Sequence, residues 1–151
     1  MNKARVLIAT VVATALGFGI HVLYGQGLVM EYVQQAGQEG RLNDFIRQPY
    51  PTWFVIIAAI TALIPTLGKV LLYVFIQEKL PVNSRTGRGL LYGFILLAID
   101  DALLRMPIMS VAGNNPVDVM LIQSAEGWII PLVIGVVIAH LVPSGASHQN
   151  S

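Results

Sequence analysis

Three ionisable residues lie close together in one otherwise apolar stretch of the chain. Asp100, Asp101 and Arg105 occupy the second half of the segment 89–107, GLLYGFILLAIDDALLRMP. Carboxyl groups of this kind, placed beside a histidine, are what a proton relay or a proton-coupled carrier uses. The same groups also suit the binding of a small polar ligand. This segment is therefore the first candidate for a functional site.

The composition around these charges is that of a membrane protein. Of the 151 residues, 55% are apolar and only 11% are charged, whereas roughly a quarter are charged in an ordinary soluble domain. The mean hydropathy is +0.68. There is no cysteine, which excludes disulfides and thiolate metal sites. No basic patch with interleaved aromatic residues is present, so we do not expect nucleic-acid binding.

Four segments reach the roughly 20 apolar residues that a membrane-spanning helix needs. They cover about 5–24, 52–77, 89–111 and 116–142. The sequence therefore predicts an all-α integral membrane protein, an antiparallel four-helix transmembrane bundle forming one domain over residues 1–143. A polar tail follows at 144–151. The first segment also has the basic start and Ala13-x-Ala15 spacing of a signal peptide, and we expect it to be retained as a span.

The distribution of basic residues predicts the orientation. They cluster before the first span and between the second and third: Lys3, Arg5, Lys79, Arg85 and Arg88. Because cytoplasmic connections carry the excess of Lys and Arg, both termini should be cytoplasmic in a multi-pass protein of the bacterial inner (plasma) membrane. The outer connection, about 25–51, is amphipathic and broken at Gly37/Gly40. It either lies on the membrane surface, folds over the bundle, or simply connects two spans.

Small and polar residues mark the faces by which the helices should pack, since lipid is already apolar. In the first span they recur every three or four residues. In the fourth span they are spaced in the same way. The predicted stripes are Thr10, Ala13, Thr14, Gly17, His21 and Tyr24 in the first span, Gly89 and Gly93 in the third, and Gln123, Gly127, Pro131 and Gly135 in the fourth.

Depth in the bilayer brings ionisable residues of three spans to similar levels. Counting 1.5 Å per residue from the cytoplasmic ends places Asp100 about 18 Å and Asp101 about 20 Å up. The same count places His21, Arg105 and Glu126 at about 24 to 25 Å. The sequence therefore predicts a polar ligand or proton site in the outer half of the bundle, built from His21, Asp100, Asp101, Arg105 and Glu126.

The same residues also fit a purely structural network. Asp101 and Arg105 have the i, i+4 spacing of an ion pair on one helix face. Asp100 points about 100° away from Asp101 and needs another partner, for which His21 and a proton are the candidates. In the structural alternative, Asp100 caps a helix or bonds to His21, and Glu126 reaches the membrane interface.

Lys69 is a further charge near the middle of the second span. It either extends its ammonium group toward the cytoplasmic surface, or serves as the counter-ion of Asp100 or as a contact for an anionic ligand. His140 lies near the inner end of the fourth span and is expected to face lipid headgroups. Because no two histidines lie close together in the sequence, no metal site is predicted and no cofactor is assigned.

No catalytic motif stands out: G-x-S-x-G, H-E-x-x-H and glycine-rich phosphate loops are absent. An intramembrane enzyme that uses Asp101 with Glu126 is therefore the least favoured function. We expect a non-enzymatic membrane component that binds a partner subunit or a small ligand, in a homo-oligomer or a larger complex surrounded by lipid. The alternative is a small proton-coupled transporter or channel that uses Asp100 and Asp101.

Overall fold

The fold is known from a computed structural model, which describes residues 2–41, 52–100, 103–104, 107–108 and 116–142. Every regular element in these ranges is helical, which confirms the all-α class. Three helices are long and apolar enough to cross a membrane: Lys3–Gln38, Ile56–Ile76 and Val117–Leu141. The polar tail predicted at 144–151 lies outside the described residues.

The first helix is much longer than the predicted first span. Helix α1 (Lys3–Ile20) continues without interruption into a π-helical segment (His21–Val29) and then into α2 (Met30–Gln38). Its 36 residues extend over about 50 Å, well beyond the roughly 30 Å of the bilayer hydrocarbon. The sequence placed the end of this helix near Tyr24, but Gly25 does not interrupt it.

Helix α2 ends at the second glycine of the predicted Gly37/Gly40 break. Gly40 has a φ of 70°, a left-handed conformation that glycine adopts without steric cost. Behind it, the Arg41 N–H donates to the Ala36 carbonyl at 2.9 Å and the Gly40 N–H to the Gly37 carbonyl at 3.0 Å. This pair of bonds is the Schellman motif that satisfies the last carbonyls of a helix. The rest of the predicted outer connection, 42–51, lies outside the described residues.

The second span is divided into α3 (Thr52–Thr61) and α4 (Leu63–Ile76) at Ala62. Pro65 causes this division because it has no N–H to donate to the Thr61 carbonyl, and because its ring crowds that carbonyl. The two halves still form one apolar stretch over Ile56–Ile76.

Helix α5 (Arg85–Ile99) is shorter than the predicted third span, 89–111. It begins at Ser84, whose hydroxyl accepts a hydrogen bond from the Gly87 N–H at 3.0 Å, and its 15 residues cover about 22 Å. The helix ends where Asp100 takes the C-cap position, rather than continuing through it as the sequence suggested. Aspartate is among the weaker helix formers, which fits a helix end here. Residues 101–102, 105–106 and 109–111 of this predicted span lie outside the described residues.

The last helix, α6 (Val117–Leu141), is the element against which the others pack. Helix α5 runs antiparallel to it, and α1 lies against both α6 and α4. The predicted stripe of the first span is buried at Thr10, Ala13, Thr14 and Gly17. The main core combines residues of four helices: Val6, Ala9, Ala13, Val70, Tyr73, Tyr92, Leu96, Ile134, Ile138 and Ala139.

Glycines bring the backbones of α5 and α6 into direct contact. A Cβ atom added at Gly93 would lie 2.7 Å from the Pro131 carbonyl oxygen and from the Leu132 Cα. At Gly135, an added Cβ would lie 2.9 Å from the Gly93 Cα. The predicted small-residue faces of these two helices therefore meet, as is common in membrane proteins.

Candidate functional site

A histidine and a glutamate that the sequence placed in one layer form a direct pair. His21 is the first residue of the π-helical segment, and its Nδ1 is hydrogen-bonded to Oε1 of Glu126 in α6. The Glu126 side chain is only 18% exposed, against 46% for His21. The carboxylate is thus enclosed between the two helices, and the imidazole is hydrogen-bonded to it on the more open side.

Gly25 completes the surroundings of this carboxylate. A Cβ at Gly25 would lie 2.8 Å from both Cδ and Oε1 of Glu126, so a larger residue here would require the Glu126 side chain to move. π-Helical turns within longer helices are frequent at functional sites, and here the segment presents His21 and Gly25 to the same carboxylate. No role was predicted for Gly25, although its i, i+4 spacing from His21 was a usable signal.

Asp100 is paired with Lys69, and not with His21. The Lys69 ammonium donates to Oδ2 of Asp100 at 2.9 Å. Because Asp100 caps the C-terminal end of α5, its carboxylate faces the negative end of the helix dipole and needs a cation nearby. The structure thus contains the counter-ion arrangement considered for Lys69, in place of an ammonium group directed toward the cytoplasmic surface.

Two buried tyrosines position the backbone from which Lys69 extends. The Tyr92 hydroxyl donates a hydrogen bond to the Lys69 carbonyl oxygen. The Tyr73 and Tyr92 rings meet edge to face, with centroids 5.1 Å apart and an interplanar angle of 61°. Edge-to-face packing of this kind is directional, so it fixes the middle of α4 relative to α5.

Two of the five predicted site residues, Asp101 and Arg105, lie outside the described residues. Their predicted i, i+4 ion pair therefore stays a prediction. The remaining three, His21, Asp100 and Glu126, each belong to an acid–base pair that joins two helices.

The two pairs flank a cleft between α1 and α4, which we call the α1–α4 cleft. Its volume is about 230 Å³, and both His21 and Lys69 contribute to its wall. The other lining residues are mostly apolar and come from α1, from the α3–α4 bend and from α6: Ala13, Thr14, Gly17, Phe18, Ala62, Pro65, Thr66, Ile130 and Ile134.

Thr14 contributes to the wall of this cleft, but its hydroxyl oxygen is buried beneath the surface of the wall. The residue is only 8% exposed, and within the described ranges its Oγ1 has no hydrogen-bond partner. By contrast, the Thr10 hydroxyl donates to the Val6 carbonyl at 2.9 Å, and that of Thr66 to the Ala62 carbonyl at 2.8 Å. Buried polar groups normally have a partner, so Thr14 is an exception among the described threonines of this wall.

A second polar cluster joins the end of α2 to the start of α6. Asp118 is hydrogen-bonded to Arg41, and its Oδ2 also accepts from the Tyr32 hydroxyl at 2.6 Å. The hydrogen bond that Arg41 donates to Asp118 raises the pKa of the Arg41 guanidinium further above its already high ordinary value. Asp118 lies more than 70 positions from either partner in the sequence, and nothing in the local pattern signalled the contact.

Within the part of the chain that the structure describes, no three His, Asp or Glu side chains are grouped closely enough to hold a metal ion. Comparisons with protein-family models, with curated proteins and with solved structures find no match to this chain. The chemistry of the site is therefore inferred from its own geometry.

Proposed function

We propose that this chain is a non-enzymatic membrane protein that binds a small ligand in the α1–α4 cleft. In this proposal it has four spans arranged as an antiparallel bundle, with both termini on the cytoplasmic side of the bacterial inner membrane. Three helices of sufficient length and apolarity support it, as does the apolar segment 89–111 that α5 begins. The basic residues before α1 and between α4 and α5 support the orientation.

The observation that carries the proposal is the composition of the cleft. Ligand sites are concave and largely apolar, with a few polar groups that orient the bound molecule. The α1–α4 cleft combines apolar walls with the side chains of His21 and Lys69. A cleft that only separated two helices would not need a histidine and a lysine at its wall.

The surface outside the cleft favours contact with lipid or with another subunit. Large apolar side chains of α3 and α4 are more than half exposed: Ile56, Ile57, Ile60, Ile64 and Phe75. In a membrane such a face is satisfied by acyl chains or by a neighbouring helix. We therefore retain the proposal that the protein works as a homo-oligomer or as a subunit of a larger complex.

Filling the cleft tests whether it holds a ligand. Ala62 lines the cleft, whereas Ala59, also half-buried on the same span, does not. We expect native mass spectrometry to find a small molecule bound to the wild-type chain and to the Ala59→Phe variant, but not to Ala62→Phe. A wild-type protein that carries nothing, purified gently from its own membrane, would contradict the proposal.

A proton-coupled transporter is the second candidate, because two acid–base pairs stand at one cleft. Lys69–Asp100 and His21–Glu126 can each exchange a proton. If the protein is such a transporter, we expect Asp100→Asn to abolish a pH-dependent proton flux into liposomes without reducing the amount of folded protein. Asp118→Asn, which lies away from the cleft, is the control. If neither wild type nor control supports a flux, the transporter candidate is wrong and simple binding is retained.

A further inference from the structure

The wall of the α1–α4 cleft presents few free polar groups. The Thr14 hydroxyl oxygen is buried beneath it, and the Thr66 hydroxyl donates to the Ala62 carbonyl at 2.8 Å. The Lys69 ammonium is bonded to Asp100 at 2.9 Å, and its methylene stem is free to make apolar contacts. A ligand would therefore meet mainly hydrocarbon groups inside the cleft.

The cleft is long and narrow. Along α1 its lining runs from Ala13 to His21, eight residues apart, which corresponds to about 12 Å along the helix axis. The volume of about 230 Å³, spread over this length, gives a mean cross-section of about 20 Å². At one end of this run the His21 imidazole is hydrogen-bonded to Glu126. The cleft thus has room for one extended hydrocarbon chain and not for two.

In the proposed orientation the cleft lies at the depth of lipid acyl chains. Counting along α1 from Arg5 at the cytoplasmic end, Ala13 is about 12 Å and His21 about 24 Å up. The cleft therefore runs along the outer half of a hydrocarbon layer about 30 Å thick, parallel to the chains of outer-leaflet lipids. Ile64, next to Pro65 of the cleft wall, is 76% exposed, so the neighbouring surface is one that lipid would also cover.

We infer, on the basis of the proposed function, that the cleft is a binding site for a single acyl chain of an outer-leaflet membrane lipid. The chain lies along α1 between Ala13 and His21 and packs against Phe18, Ile130 and Ile134. Inside the cleft it gains van der Waals contacts from two helices at once, which a chain on a convex helix surface does not. The headgroup stays at the outer membrane surface, beyond His21.

Two probes with the same headgroup and the same number of tail carbons test the shape of the site. The full-length protein in a mild detergent is titrated with a phosphocholine that carries a straight decyl chain, and with a phosphocholine that carries an adamantyl group. Native mass spectrometry gives the dissociation constant of each. We expect the wild type to bind the decyl probe about tenfold more tightly, because only a straight chain makes contacts over the whole length of the cleft.

Three variants test whether the decyl probe occupies the cleft. Ala62→Phe fills part of the cleft and should weaken binding about tenfold. Ala59→Phe is the matched control on the same span, outside the cleft wall, and should leave the affinity unchanged. Thr14→Val should also leave it unchanged, because the hydroxyl oxygen lies beneath the wall. The comparison of the two probes uses the wild type alone, so it does not depend on the folding of any variant.

The alternative outcomes are distinct. If the adamantyl probe binds as tightly as the decyl probe or more tightly, the cleft takes a compact ligand, so the inference is wrong while the proposed function stands. Loss of decyl binding in Thr14→Val would also overturn it, since the ligand would then depend on a polar contact. Binding that Ala62→Phe does not weaken, or no binding of either probe, overturns the inference as well. If in addition no molecule accompanies the wild-type chain, the proposed function falls with it.

Discussion

The interface between α5 and α6 and the interface between α1 and α4 are built on different principles. At the first, Gly89, Gly93 and Gly135 bring two backbones into contact and leave no space. At the second, the bend caused by Pro65 and the polar side chains around it leave a cleft of about 230 Å³. Three of the four helices involved, α1, α4 and α6, belong to segments long and apolar enough to cross a membrane.

Under the proposed function, the α5–α6 interface serves stability and the α1–α4 interface serves ligand binding. Close backbone packing, which needs glycine, fixes α5 on α6 and thereby holds Asp100 at the end of α5. The α1–α4 interface is then free to carry side chains that contribute little to packing, such as Lys69. Packing at the α5–α6 interface thus sets the position of Asp100, the partner of Lys69 at the α1–α4 interface.

The largest effect is expected where the backbones touch. Gly135→Ala places a Cβ atom 2.9 Å from the Gly93 Cα and should lower the free energy of unfolding by about 3 kcal/mol, the upper range for overpacking. Unfolding in mixed detergent micelles measures this. Gly68→Ala is the control, because an added Cβ there meets nothing within 4 Å. Equal behaviour of the two variants would contradict the close packing of α5 on α6.

A smaller effect is expected at the π-helical segment. Gly25→Ala places a Cβ atom 2.8 Å from the Glu126 carboxylate, which must move away, and should break the His21–Glu126 pair at a cost of about 1 kcal/mol, the lower end of the range for overpacking. Gly27→Ala is the matched control in the same segment, since its nearest neighbour would be the Val22 carbonyl oxygen at 3.8 Å. The chemical shift of the His21 ring, followed by NMR, should change only in the first variant.

The Lys69–Asp100 pair beside the cleft should contribute about 1 kcal/mol to the free energy of unfolding, as expected for two partly exposed charges. A double-mutant cycle with Lys69→Met and Asp100→Asn measures this as the coupling between the two changes in unfolding free energy. If the pair lies within the membrane as proposed, the coupling should survive in about 1 M salt, which should screen the Arg41–Asp118 pair beyond the end of α2. A coupling of zero would mean that the Lys69–Asp100 contact does not stabilise the protein.

The smallest expected effects are those of replacing Thr14 and Thr10, which should change the free energy of unfolding in opposite directions. Thr14→Val removes a buried hydroxyl that is bonded to no described group and should raise the free energy of unfolding by about 0.5 kcal/mol. Thr10→Val removes the bond to the Val6 carbonyl and should lower it by about the same amount. A loss of stability in Thr14→Val, without added ligand, would show that this hydroxyl has a partner in the folded protein.

Much of the local architecture was predictable, because it depends on residue type and spacing. The apolar stretches, the small-residue faces at Gly93 and Gly135, and the helix end at Gly40 are local patterns with a direct physical meaning. Depth counting also brought His21 and Glu126 to the same level, since it needs only the rise of a helix.

The partners of the charges were less predictable. Asp100 had several candidates in the sequence, and the choice of Lys69 depends on how α4 packs beside α5 through Tyr73 and Tyr92. The continuation of the first helix past Gly25 was missed for the same reason. In a sequence, glycine is usually taken to break a helix, whereas here the helix continues through Gly25 and the Glu126 side chain of α6 lies against it.

By itself, the sequence determined that this chain is helical and apolar, where its helices place small residues, and which side chains carry charge. These properties follow from propensity, periodicity and composition. The tertiary structure alone decided that His21 pairs with Glu126, that Lys69 pairs with Asp100, and that both pairs stand at one cleft. Such contacts join residues 31 and 105 positions apart, and they exist only after the helices have packed.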